Sequence, residues 1–186
     1  MSPEALRAFF DREATLVAPA LLGATLLVDG VGGLIVETEA YHPEDPASHS
    51  YRGPTPRNAS MFGPPARVYV YRSYGIHWCL NMVCAHASAV LIRAIEPVSG
   101  LDRMRLRRGM ENARQLCSGP GKLCEAMGVT RDLDGQSLAA EPFIFRPAPE
   151  TPAISVAIGP RIGITKAVEK PWRFGVANSP FLSKKF

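Results

Sequence analysis

Residues 37–41 read Glu-Thr-Glu-Ala-Tyr. In an extended strand, positions i, i+2 and i+4 share a face, so Glu37, Glu39 and Tyr41 project together. Two carboxylates beside a phenol offer general acid–base chemistry or a metal site. The same spacing on an edge strand is merely a solvated face. The surroundings favour chemistry: the strand runs into a loop carrying His49, and the strand-like Arg67–Tyr71 segment comes next, with Tyr69 and Tyr71 on one side. Carboxylates next to aromatic rings describe a pocket. A second cluster, His77-x-Cys79 and Cys84-x-His86, brings four zinc-competent side chains close together in sequence. Its spacing is not that of a cysteine knuckle and it lies on an apolar run, so buried, reduced thiols are expected and no metal. A third feature, Ser118-Gly-Pro-Gly-Lys122, opens a helix whose backbone N–H groups and Lys122 ammonium could meet a phosphate. It lacks the G-x-x-x-x-G-K-[ST] spacing of a nucleotide loop, which excludes an ATPase of that type.

The elements that must position these residues can be read from pattern. Ser2-Pro3 caps a helix through about Phe10, and a second helix spans Ala14–Leu22, ended by Gly23. Strands are expected over 24–29 and 33–40, joined by a glycine-rich turn at 29–33. Residues 42–66 form a long ordered loop. Strands over 67–71, 76–83 and 90–95 make an antiparallel meander, with Tyr74-Gly75 turning the chain between the first two. A basic helix over 99–108, a helix from Ser118 through Met127 and two or three short strands between 142 and 165 complete an α+β chain. One domain, 1–186, is expected.

Composition sets the boundaries. The 186 residues are 46% hydrophobic and 20% charged, and 16 glycines and 17 prolines are spread along the chain, which excludes disorder as the main state. The longest apolar stretch, Leu16–Val28, is broken by Pro19 and Gly23 and is too short to span a bilayer. With no basic leader followed by an apolar run, a cytoplasmic protein is expected. The net charge of +4 hides an asymmetry, since residues 1–60 are acidic and the remainder strongly basic. Basic residues cluster at Arg103, Arg105, Arg107, Arg108 and Arg114, and again at Arg161, Lys166, Lys170, Arg173, Lys184 and Lys185. Such clusters attract polyanions or simply form a solvated helix face.

In order along the chain, 35–41 (IVETEAY), His49-Ser50, 55–58 (TPRN), Met61-Phe62, 69–71 (YVY), Tyr74-Gly75, Asn81, 91–97 (LIRAIEP), 116–124 (LCSGPGKLC) and 170–174 (KPWRF) resemble the alkyladenine (3-methyladenine) DNA glycosylase family. The resemblance runs from about residue 15 to 183. It implies a monofunctional, cofactor-free enzyme that flips an alkylated or deaminated purine out of duplex DNA and hydrolyses its N-glycosidic bond. It further implies a mostly antiparallel curved sheet flanked by short helices, like the C-terminal domain of formyltransferases. By the same resemblance Glu39 is the general base and Arg93 holds the attacking water or the carboxylate, with the backbone around Ile162 a further contributor. Tyr41 and His49 are the two faces of a base sandwich and Tyr71 its edge. Asn81 crowds the exocyclic amino group of normal guanine, and Tyr74 is the wedge that fills the vacated stack. Glu37 is expected to be a structural carboxylate.

From residue chemistry, Lys122, Arg103 and Arg107 are candidates for phosphate contacts. The expected partner is double-stranded DNA containing damaged purines, bound by a monomer away from any membrane. Three rival readings stand beside this one. A metal-dependent nuclease would use Glu37 and Glu39. A non-catalytic binder of distorted DNA would keep the wedge without turnover. A glycosylase/lyase needs an amine in the pocket, and no lysine lies between Met1 and Gly121.

Overall fold

Ser2 accepts a hydrogen bond from the Ala5 amide at 3.2 Å, and Pro3 begins α1 (Pro3–Phe10), which turns Leu6 and Phe10 inward. The computed structural model describes residues 1–149 and 154–186. Helix α2 (Ala14–Ala20) buries Ala14, Val17 and Ala18 and stops two residues before the expected end. Strands β1 (Thr25–Val28) and β2 (Val31–Tyr41) come next. Their turn is Asp29-Gly30, both at positive φ (50° and 71°), as a two-residue hairpin requires. Gly32 and Gly33, expected in the turn, instead lie in β2. A Cβ on Gly33 would fall 1.8 Å from the Glu96 carbonyl oxygen, so glycine serves close strand approach there.

Strand β2 is the hub of the molecule. One edge pairs with β5 (Ala89–Ser99) along its length, while the other is shared by β1 at residues 31–34 and by β8 (Arg173–Val176) at residues 37–39. Strand β8 is not among the strands expected from pattern, since its four residues carry no alternation of their own. Strands β3 (Val68–Ser73) and β4 (His77–Val83) extend the sheet in the order β3-β4-β5-β2-β1-β6, with β6 spanning Phe143–Arg146. Strand β7 (Val156–Gly159) pairs with β8 alone, and every pairing is antiparallel. Helices α3 (Leu101–Arg108), α4 (Ala113–Leu116) and α5 (Pro120–Met127) pack on the sheet through Met104, Leu116 and Leu123. Helix α4, a single turn, is likewise beyond what the pattern predicts. One hydrophobic cluster runs from Leu6 to Phe174, and the result is the α+β, curled antiparallel architecture expected. All four cysteines are buried and unbridged, and among the described residues no helix is long and apolar enough to cross a membrane.

Two irregularities in the β2–β5 ladder fall beside Glu37 and Glu39. Ile35 pairs with Ile95 and Glu37 with Ala94, which leaves Val36 unpaired on β2. Thr38 then pairs with Ile92, which leaves Arg93 unpaired on β5 and restores the register. Opposed bulges of this kind twist both strands and re-aim side chains.

Candidate active site

The bulges set Glu37, Glu39 and Arg93 against one another in the interior. Glu39 is fully buried, with each oxygen engaged: Oε1 accepts from the Ile162 amide at 2.7 Å and lies 3.3 Å from Arg93 Nη1, and Oε2 accepts from the Tyr41 hydroxyl at 2.9 Å. Burial raises its pKa above the ordinary carboxylate value and the Glu37 charge adds to this, while Arg93, the Ile162 amide and Tyr41 pull the other way. Burial and the Glu39 charge hold the Tyr41 phenol well above its normal pKa, so its hydroxyl stays protonated and donates. Burial alone would lower the pKa of Arg93, but Glu39 and Glu37 reverse the effect and raise it.

Glu37 is also fully buried. It accepts from Arg93 Nε (3.1 Å), Arg173 Nε (2.7 Å) and both the hydroxyl (2.8 Å) and amide (2.5 Å) of Ser183. With its lone pairs turned to these cationic and N–H donors, Glu37 is not disposed to coordinate a metal. Nor do the zinc-competent residues of β4 assemble, because His77 opens the strand and His86 lies past its other end, with roughly 20 Å of strand from His77 to Val83 between them. Among the described residues no three His, Cys, Asp or Glu side chains gather as a metal site.

In front of Glu39 opens a cavity of about 640 Å³. Tyr41, His49, Tyr71, Tyr74, Asn81, Arg93 and Ile162 all line it, so the structure brings together the candidates scattered over 122 residues of sequence from Tyr41 to Ile162. Glu39 sits one layer behind the wall, touching the cavity-lining Tyr41, Arg93 and Ile162. Tyr69 and Tyr71 stack at 5.4 Å with planes 26° apart, and the His49 ring meets Tyr71 edge-on at 4.4 Å. His49 Nδ1 lies 2.9 Å from the Tyr69 hydroxyl, and desolvation lowers the imidazole pKa, which keeps the ring neutral at pH 7. Asn81 donates from Nδ2 to the Tyr69 carbonyl at 3.0 Å, which fixes the amide in the wall.

Tyr74 stands at the cavity rim, 84% exposed, at φ 50° in the three-residue turn Tyr74–Ile76, followed by Gly75 at φ 69°. His77 and the start of α5, Pro120-Gly121, complete that side of the rim, so the exposed Lys122 lies one residue beyond it. The structure does not bring Arg103 and Arg107 there. Arg103 pairs with Asp29 at 2.8 Å at the far end of β2, roughly 30 Å of strand from Glu39, and Arg107 donates to the Ala126 carbonyl at the C-terminal end of α5. Arg105 and Arg108 are likewise held by Asp102, Glu111 and Glu125.

Sequence reasoning missed several residues. Arg161, one of a basic cluster in the sequence, is buried. It pairs with Asp45, donates to the Ala40 carbonyl at 3.1 Å, and lies over the Tyr41 and Trp172 rings at 4.7 and 5.2 Å. It thereby ties the Ile162 loop to the end of β2. Arg173 is buried for the same kind of reason. Asn58 secures the His49 loop by donating to the His49 and Gly53 carbonyls at 2.8 and 3.1 Å. Lys166 also lines the cavity, an amine that counting lysines in the first half of the chain could not find. Only the adjacency of Arg161 to Ile162 offered a signal; the partners of the others are distant in sequence.

Residues 8–180 match the family model described as methylpurine-DNA glycosylase. Relatives provisionally named 3-methyladenine DNA glycosylase include one from Agrobacterium fabrum, 60% identical over 185 residues, covering 100% of this chain and 95% of the relative. Another, from Nitrosospira multiformis, is 60% identical over 180 residues (95% and 92%), and one from Rhodopseudomonas palustris is 59% identical over 189 residues (100% and 91%).

Proposed function

For a chain that belongs to the methylpurine-DNA glycosylase family, and so is a DNA glycosylase of alkylation repair, we propose a reaction built on base flipping and carboxylate-assisted hydrolysis. The enzyme, acting as a monomer, flips a damaged purine of the 3-methyladenine, 7-methylguanine, hypoxanthine or ethenoadenine class from duplex DNA into the aromatic cavity. Unstacking costs a few kcal/mol; Tyr74, presented on an exposed turn, offsets part of it by filling the gap. Tyr41, His49 and Tyr71 enclose the base. Their electron-rich faces favour a cationic alkylpurine by roughly 0.5–2 kcal/mol each. Asn81 obstructs the exocyclic amine of normal guanine, so rejection comes from crowding.

Hydrolysis takes place at the inner wall. A water admitted between Tyr41, Arg93 and Ile162 gives its proton to Glu39 as its oxygen attacks the sugar C1′ and the purine leaves with the bonding electrons. The carboxylate's raised pKa brings its basicity nearer neutral pH, and its charge favours the oxocarbenium-like transition state. Arg93 and the Ile162 amide hold the carboxylate in place. The carrying observation is this buried carboxylate, held from three sides directly behind a ring-lined cavity. The test is to incubate the protein with duplexes bearing one alkylated or deaminated purine, with EDTA present. Free base and an intact, alkali-labile abasic strand are expected.

One observation favours a second reading. Lys166 on the cavity wall could form a Schiff base with the abasic sugar and cleave the strand. Borohydride trapping of a protein–DNA adduct separates that lyase from simple hydrolysis.

A further inference from the structure

We propose that Ser183, resting on the catalytic reading above, is a positioning residue that fixes the Arg93 guanidinium on Glu39. Each nitrogen of that guanidinium has its own neighbour: Nε donates to Glu37 at 3.1 Å, Nη2 donates to Ser183 Oγ at 3.3 Å, and Nη1 is left facing Glu39 at 3.3 Å. The fork is planar and rigid, so anchoring two of its nitrogens sets the direction of the third.

The role requires a hydroxyl. Ser183 Oγ accepts from Arg93 Nη2 and donates its single proton to Glu37 Oε1 at 2.8 Å, while its backbone amide donates to Glu37 Oε2 at 2.5 Å. Only a side chain that both accepts and donates completes this relay, and serine and threonine do so where alanine cannot. Glu37 is pinned from the other side by Arg173 at 2.7 Å, so the carboxylate cannot swing to track a displaced arginine.

The segment Phe181–Phe186 that carries Ser183 is held at further points. The Lys184 carbonyl accepts from Arg173 Nη2, and the Phe186 ring lies 3.9 Å from the Arg173 guanidinium. That ring also packs against Gly175, where an added Cβ would fall 2.4 Å from it. The segment is thus fastened to Glu37, Arg93 and Arg173, and none of its residues lines the cavity.

Three readouts test the assignment: single-turnover base excision, affinity for duplex carrying an uncleavable lesion analogue, and solvent exchange of the Arg93 Nε–H by NMR. Losing the hydroxyl's hydrogen bonds to Arg93 and Glu37 should slow excision by Ser183→Ala at least about tenfold with affinity changed less than about twofold. The Arg93 Nε–H should exchange faster in this variant. Ser183→Thr should restore both rate and protection. Removing residues 183–186 should cost more than the alanine change on both measures; if that protein does not fold, the alanine and threonine pair decides. Ser183→Ala excising at the wild-type rate with unchanged Arg93 exchange would overturn the proposal, as would a loss confined to affinity. If wild type frees no base at all, the catalytic reading fails, and the exchange measurement alone decides whether Ser183 holds Arg93.

Discussion

Replacing Tyr74 by glycine separates folding from function at one position. The ring is 84% exposed and so contributes little to the core. Its backbone sits at φ 50°, in the left-handed region that costs an L-residue roughly 1–2 kcal/mol and glycine almost nothing. Against this, glycine gains about 0.4–1 kcal/mol of freedom in the unfolded chain. The first effect is the larger, leaving about 0–1.6 kcal/mol in favour of the variant. At 2–4 °C per kcal/mol for a domain of this size, Tm should not fall and should rise by no more than about 6 °C. Damaged-DNA binding should behave differently. An aromatic side chain stacked on a base contributes about 1–3 kcal/mol, so the affinity for a lesion-bearing duplex should fall by roughly 5- to 150-fold. Affinity for undamaged duplex, where no base has left the stack, should change less than about twofold. Fluorescence anisotropy titrations on both duplexes, with melting curves of the free proteins, read all three quantities. Equal weakening on both duplexes would refute the wedge and return Tyr74 to the status of an exposed turn residue.

The same geometry has other consequences. Burial raises the Glu39 pKa, and the base is lost on protonation, so the excision rate should fall with decreasing pH through a limb above the ordinary glutamate value of about 4.3; a single-turnover pH profile with its limb at or below that value contradicts the placement. Arg161→Met leaves Asp45 buried without its partner, which costs about 3–5 kcal/mol and should lower Tm by roughly 6–20 °C in a calorimetric scan. Lys122→Ala should reduce the slope of log affinity against log salt by about one unit on either duplex, whereas Arg103→Ala, which removes the partner of Asp29 far from the cavity, should leave the slope unchanged.

The parts of this molecule legible in its sequence are those dictated by neighbours along the chain. Asp29-Gly30 and Tyr74-Gly75 announce tight turns because each glycine can take the positive φ such turns require without cost. The alternation of Glu37, Glu39 and Tyr41 correctly gives their common side. The opposed bulges at Val36 and Arg93 carry no local signature, yet they turn Arg93 onto both glutamates. The arginine-rich α3 misleads for a related reason. Its charges look free in sequence, but Asp29, Glu111 and Glu125 meet them only once the chain has folded. Arg161 finds Asp45 across 116 residues and Ser183 finds Glu37 across 146, separations at which no motif or period speaks.

The central claim is that Glu39 takes the proton of the attacking water. Glu39→Gln keeps the size of the side chain and a carbonyl acceptor for Tyr41 or Ile162, but cannot serve as that base. Single-turnover release of free base from a duplex with one alkylated purine, measured beside the affinity for the same duplex, tests this directly. General-base catalysis typically contributes 10²–10⁴-fold, so the variant should bind within about threefold of wild type and excise at least about 100-fold more slowly. A variant that binds normally and retains more than about a tenth of the wild-type rate contradicts the account.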